Sequence, residues 1–198
     1  YQYDDLGNLL QEVSPDRGTL TYTYDAAGNV LTVTNGRGNV TTYTYDVLNR
    51  VVYQENTDTN SPWFNYFYDS CKRGRLCTVQ KNDAFDMSFN YDNFGRLSYQ
   101  FDANWLYTSY AYTPGGRLSR VSYPAYPSGR SVDYTYDIPG GAGRVTKVTT
   151  TANGTTTVLA QNLAYYPFGP LTNMTYGNGL LFVAWVDEAY RPVLRYAG

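Results

Sequence analysis

Nine copies of one short motif run along this chain, and their recurrence restricts the fold more than any single residue does. The motif reads Tyr-x-Tyr-Asp-x-x-Gly-Arg-Leu. Its clearest versions are Tyr22-Thr23-Tyr24-Asp25-Ala26-Ala27-Gly28-Asn29-Val30 and Phe89-Asn90-Tyr91-Asp92-Asn93-Phe94-Gly95-Arg96-Leu97. With the second Tyr as anchor, the copies fall at Tyr3, Tyr24, Tyr45, Tyr68, Tyr91, Tyr112, Tyr136, Tyr165 and the degenerate Val186. The intervals are 21, 21, 23, 23, 21, 24, 29 and 21 residues. A fixed period in this range marks a repeat architecture, in which each unit buries its apolar face only against its neighbours.

Each copy opens with alternation. In Thr41-Thr42-Tyr43-Thr44-Tyr45 the two tyrosines share one face and Thr42 and Thr44 the other, the period-2 pattern of a strand built from strong strand formers. Asp-x-x-Gly follows, with Asp and Gly where a type I turn favours them, and Gly28, Gly95 and Gly116 supply the left-handed residue that completes such a hairpin connection. Asn49 stands in that slot after Asp46 and is one of the few other residues that tolerate it. A second strand, such as Arg96-Leu97-Ser98-Tyr99-Gln100, then runs into a second polar turn, such as Asn35-Gly36-Arg37-Gly38. One repeat is two antiparallel strands and two turns, with roughly 6 to 7 residues per strand. No stretch has the length and periodicity of a helix.

The expected fold is therefore all-β: antiparallel hairpin repeats of about 21–24 residues forming one large curved, spiralling sheet of some 16 to 18 strands. The repeat is unbroken, so 1–198 reads as a single array. The opening Tyr1-Gln2-Tyr3-Asp4 already lies inside a repeat, so the array reads as a segment of a longer chain. In such a stack the anchors Tyr24, Tyr45, Tyr68, Tyr91, Tyr112 and Tyr136 stand beside one another as ladders across neighbouring strands, which accounts for a content of 23 tyrosines. The open end strands would pair with further repeats of the parent chain or with another copy.

Composition narrows the function. Lys plus Arg (15) nearly balances Asp plus Glu (17), and a net charge of −2 gives no basic stripe for nucleic acid. No apolar run approaches the roughly 20 residues of a membrane-spanning helix. Histidine is absent, which removes the commonest general base and metal ligand, and nothing in the pattern calls for a cofactor. Cys71 and Cys77 bracket a turn with two extra residues; they either close it as a disulfide or stand as two thiols in neighbouring strand ends.

Repeated carboxylates invite a glycosidase reading. Asp4, Asp25, Asp46, Asp69, Asp92, Asp137 and Asp187 recur in unit after unit, however, and a residue present in every copy reads as the cap of its own turn rather than as a unique catalyst. Calcium along such a ladder fares little better, because it wants six to eight oxygens at one point. No catalytic or metal-binding residue is assigned. Arginines after the turn (Arg50, Arg75, Arg96, Arg117, Arg144, Arg191) would line one rim and either pair with aspartates of adjacent turns or be solvated. With exposed Trp63, Trp105 or Trp185 they would offer contacts to glycan.

The Tyr-Asp dipeptide leading into Gly-Arg-Leu at this period resembles the RHS/YD-repeat family. Two further phrases carry the likeness, Tyr166-Pro167-Phe168-Gly169-Pro170-Leu171 and Tyr176-Gly177-Asn178-Gly179-Leu180. The resemblance implies a spiralling sheet wound into a hollow shell, which in bacterial members encloses a C-terminal toxin; teneurin receptors carry a similar barrel, and YD repeats have been proposed to bind carbohydrate. The family's core signature, with its Asp-Pro-x-Gly self-cleavage element, is not found in these residues, so neither autoproteolysis nor toxicity is expected of them. The expectation is a non-catalytic structural module of a shell that encloses a toxin or other cargo in a secreted or surface-delivered bacterial protein. Its rival is an extracellular carbohydrate-binding or adhesion module on the same sheet.

Overall fold

The computed structural model describes residues 1–124, 129–137, 142–167 and 169–198. The extra residues of the Asp137 turn (138–141) and Phe168 lie outside the described residues. Eighteen strands and no helix are found among the rest. Contacts group the chain into two compact units, one of Tyr1–Leu97 with Phe101–Trp105 and one of Ser98–Gln100 with Leu106–Gly198.

In the first unit β1 (Gln2–Tyr3), β2 (Leu9–Ser14), β3 (Gly18–Tyr24), β4 (Val30–Thr34), β5 (Val40–Tyr45), β6 (Val51–Asn56), β7 (Phe64–Tyr68), β8 (Leu76–Lys81) and β9 (Ala84–Tyr91) follow as an antiparallel meander, each paired with the next. β10 (Leu97–Asp102) contributes residues to both units. In the second, β11 (Tyr107–Tyr112), β12 (Leu118–Ser122), β13 (Arg130–Tyr136), β14 (Val145–Ala152), β15 (Thr155–Tyr165), β16 (Leu171–Tyr176), β17 (Leu181–Val186) and β18 (Pro192–Ala197) continue in the same way. The architecture is the hairpin repeat that the alternation and turn residues imply.

One irregularity recurs along these hairpins. Thr23 faces Thr32 but Tyr24 faces Val30, so one extra residue, Leu31, is absorbed beside the turn. The shift recurs at Tyr45–Val51, Tyr68–Leu76, Tyr112–Leu118, Tyr136–Val145 and Val186–Pro192. Its source is the left-handed residue that closes the turn: φ is +83° at Gly28, +59° at Asn49, +76° at Gly95 and +83° at Gly116. A type I turn followed by such a residue ends in a one-residue bulge.

Burial is sparse. Among the described residues the buried hydrophobic side chains are Cys77, Val79, Val121 and Ala184, and no polar side chain is buried. Apolar and aromatic side chains of neighbouring strands shield one another across a sheet face instead; Tyr22 faces Val33, and Tyr66 faces Val79. Among the described residues no helix is long and apolar enough to cross a membrane.

Candidate functional site

Aspartate begins the repeated unit. Asp46 Oδ1 accepts the backbone N–H groups of Leu48 (2.8 Å) and Arg50 (3.0 Å), and its Oδ2 accepts Arg50 Nε at 2.7 Å. Asp25, Asp92 and Asp187 repeat this with Asn29, Arg96 and Arg191. Thr113 does half the work with one hydroxyl, accepting Arg117 N–H at 3.1 Å. Asp137 accepts the N–H groups of Gly143 and Arg144, beyond the longer turn. Donors converging on a carboxylate favour its charged form. The Asn29 side chain holds Asp25 below its ordinary value, and the Arg50 side chain does so for Asp46 and Asp69. Burial pushes Asp92 up, but the Arg96 backbone and side chain outweigh it.

The residue after the turn ties one repeat to the next. The Arg50 guanidinium pairs with its own Asp46 and reaches Asp69 of the following turn at 2.8 Å. It also lies 4.3 Å from the centre of the Tyr68 ring. Arg75 over Tyr91, Arg117 over Tyr136 and Arg144 over Tyr165 hold the same relation at 5.7, 5.6 and 5.4 Å. Cation and aromatic face attract at such distances.

The anchor tyrosines close the unit through their hydroxyls. Tyr24 donates to the Leu9 carbonyl (2.8 Å), Tyr45 to Val30 (2.7 Å), Tyr68 to Val51 (3.0 Å), Tyr91 to Leu76 (2.9 Å), Tyr136 to Leu118 (2.7 Å) and Tyr165 to Val145 (2.9 Å). In each case the acceptor lies in the preceding repeat, at a fixed place in the register. Strand pairing between repeats starts at Gln11–Thr21, Thr32–Thr42, Tyr53–Asn65, Thr78–Ser88, Arg120–Asp133 and Lys147–Gln161. The carbonyl two residues closer to the turn is then met by the phenol. Burial, the largest cause, pushes the hydroxyls of Tyr45, Tyr68, Tyr91 and Tyr165 above the usual tyrosine value.

This corrects the expected ring ladder. One repeat is two strands, so successive anchors stand about 9.5 Å apart across the sheet, too far for ring contact. The rings of Tyr68, Tyr91, Tyr136 and Tyr165 each meet an arginine and a carbonyl of the repeat before, whereas Tyr24 and Tyr45, preceded by Asn8 and Asn29 in the arginine position, meet the carbonyl. The sequence carried a signal for this role, since Tyr holds the anchor position where Phe would serve packing equally well.

Cys71 and Cys77 are joined as a disulfide, and Cys77 is 2% exposed. The bond closes the enlarged turn, where Asp69 is itself left-handed at φ +71° and accepts Gly74 N–H. Of the three tryptophans expected to be exposed, Trp63 is not. Trp63 is half-buried against Tyr53, ring centres 5.9 Å apart, because β6 and β7 bring the two side by side. Trp105 and Trp185 are exposed, at 74% and 50%. Trp105 closes a turn that sequence reading passed over; Asp102-Ala103-Asn104-Trp105 has the Asp-x-x-Gly grammar with Trp in the glycine slot. Among the described residues no cluster of three His, Cys, Asp or Glu side chains is placed to hold a metal.

What this arrangement does chemically is bind repeats together. The RHS Repeat family model matches residues 3–40 and 24–60. The match is confined to the first repeats, and the same turn geometry continues to Arg191. No curated protein matches it in sequence. Among solved structures it is similar to the Tc holotoxin pore of Photorhabdus luminescens carrying TccC3-D651A, with TM-score 0.75 and 17% identity over 100% of this chain and 11% of that one. TcdB2-TccC3 in complex with Cdc42 matches with TM-score 0.76 and 17% identity over 99% of this chain and 11% of that one. TcdB2-TccC3 matches with TM-score 0.76 and 17% identity over 100% and 11%. At this identity the likeness is one of fold, and the chain spans about a ninth of the length of those proteins. The chain is a structural repeat module with that fold.

Proposed function

We propose that this array is a stretch of wall in an RHS/YD-repeat shell. The shell encloses a C-terminal toxin or other cargo within a secreted or surface-delivered bacterial protein, and the array contributes no catalytic group. The observation that carries this reading is the recurring hydroxyl-to-carbonyl latch, which joins repeat to repeat. A device used in every unit serves the array rather than a single site. Strand hydrogen bonds, the Asp–Arg caps and the disulfide add to a wall that keeps its shape with little buried core.

Limited proteolysis of the parent protein tests the reading. Cargo that survives protease while the array is intact, and is cut once Tyr24, Tyr45, Tyr68 and Tyr91 are all changed to Phe, supports it. Cargo digested at the same rate in both would overturn it. An extracellular carbohydrate-binding or adhesion module is the rival. It draws on exposed Trp105 and Trp185 and requires saturable glycan binding that is lost in Trp105→Ala or Trp185→Ala.

A further inference from the structure

Three Asn-Gly pairs occur in this chain, Asn35-Gly36, Asn153-Gly154 and Asn178-Gly179, and each lies in an exposed turn. Such a pair is chemically fragile, because the glycine nitrogen, unhindered by a side chain, can reach the amide carbon of the asparagine before it. Exposure does not separate the three pairs. Hydrogen bonding does.

At Asn35 the side chain is a cap. Its Oδ1 accepts the N–H groups of Arg37 (2.9 Å) and Asn39 (3.1 Å), the role that Asp plays in other turns of this chain. Gly36 is also pressed against Arg17 and Gly18, so that a Cβ would come within 2.9 Å of the Arg17 carbonyl oxygen. At Asn178 the Oδ1 accepts Leu180 N–H at 3.1 Å. The Gly179 nitrogen, the atom that would have to attack, donates to the Tyr176 carbonyl at 2.9 Å. Both pairs must give up turn hydrogen bonds before they can react.

Asn153 has neither restraint. With Gly154 it forms the turn between β14 and β15, at φ values of +51° and +74°, between the paired Ala152 and Thr155. Among the described residues its side chain has no hydrogen-bond partner, and Gly154 N–H donates to no group. Space beside Gly154 is open, with nothing within 4 Å of a Cβ placed there. Amide carbon and nucleophile are neighbours in the chain, and both are unengaged.

We propose that Asn153 is a site of spontaneous deamidation through a succinimide. The Gly154 nitrogen loses its proton and bonds to Asn153 Cγ; the Cγ–Nδ2 bond breaks, and the NH2 group departs with a proton as ammonia. Water then opens the imide. Breaking the new N–Cγ bond gives aspartate. Breaking the bond to the main-chain carbonyl gives isoaspartate, which carries the backbone through Cβ and Cγ and leaves the α-carboxylate free. Aspartate tolerates left-handed backbone and keeps the turn. Isoaspartate adds one backbone atom to a two-residue hairpin loop and disturbs the pairing of Ala152 with Thr155. Either product places a new negative charge at the tip of the β14–β15 hairpin. The site is independent of the shell reading, and either can fail alone.

Incubation of the intact chain at mildly alkaline pH, followed by peptide mapping with tandem mass spectrometry, tests the proposal. An isoaspartyl methyltransferase assay reports the isoaspartate, and a parallel sample in concentrated urea supplies the unfolded reference. In the folded chain Asn153 should deamidate about tenfold faster than Asn35 or Asn178, the factor expected for one hydrogen bond that must first break. In urea all three should react at similar rates, because each is followed by glycine and no turn remains. Asn153→Gly keeps the turn and should remove most of the isoaspartate signal of the folded chain, with its circular dichroism unchanged. Equal rates at the three sites in the folded chain overturn the proposal, as does faster reaction at Asn35 or Asn178. So does an Asn153 that stays intact in the folded chain while the urea sample reacts, or a ranking that urea leaves unchanged.

Discussion

Replacing Tyr45 with Phe removes a single oxygen from the repeat and tests the latch without disturbing the ring. The phenol donates to the Val30 carbonyl at 2.7 Å, and both groups are half-buried. The net value of a neutral hydrogen bond is about 1 kcal/mol, and a carbonyl that water can still reach adds little further penalty. For a chain of 198 residues that corresponds to a fall in Tm of about 2–4 °C. The ring keeps its strand position, so Tyr45→Ala should cost roughly 2–3 kcal/mol more. Combining Tyr24→Phe, Tyr45→Phe, Tyr68→Phe and Tyr91→Phe should approach the sum of the single changes, roughly 4 kcal/mol, because the acceptors belong to separate repeats. Tyr53→Phe is the control, since its hydroxyl meets exposed Glu55 and should matter by less than about 0.5 kcal/mol. Thermal and urea unfolding followed by circular dichroism measure all of these. A quadruple variant within about 1 kcal/mol of the parent would refute the latch as the source of inter-repeat stability.

Three further outcomes are expected. Gly95→Ala forces a Cβ onto backbone at φ +76° and brings it to 3.4 Å from Arg75, so it should lose about 1–2 kcal/mol, whereas Asn49→Gly should stay within about 0.5 kcal/mol; equal losses in a urea titration would contradict the turn assignment. Asp25, Asp46, Asp69 and Asp92 have folded values below the ordinary carboxylate value. The folded state therefore binds fewer protons than the unfolded state near about pH 4, and stability is complete above that value and declines as pH falls through the lowered ones. A Tm unchanged from neutral pH down to about pH 2 would count against the caps. Reducing Cys71–Cys77, which closes a short loop, should cost about 2 kcal/mol by loop entropy; Cys71→Ser/Cys77→Ser should match the reduced protein, and no Tm difference between oxidised and reduced forms would remove the staple from the account.

Turn chemistry was the most legible part of the sequence, because it is local. Asp46 with Asn49 announced a left-handed residue after a type I turn, and backbone sterics leave few other readings. Strand alternation was legible for the same reason. The purpose of the anchor tyrosines was not, because it depends on where pairing between two repeats begins. That register places the Val30 carbonyl under the Tyr45 hydroxyl, and no single repeat contains both groups. Similarly, the 29-residue interval before Tyr165 gives no local sign of its cause. In the structure much of it goes into β14 and β15, two long strands joined at Asn153-Gly154, whose φ values of +51° and +74° make a tight hairpin. The half-burial of Trp63 is not legible either, because its neighbour across the strands, Tyr53, lies ten positions away in sequence.

Electron cryomicroscopy of the parent protein tests the central claim most directly. The account predicts that these repeats form part of a closed wall with density for a separate segment inside it, each anchor hydroxyl meeting the carbonyl of the repeat before. Repeats found as an open sheet with both faces in solvent and nothing enclosed would contradict it.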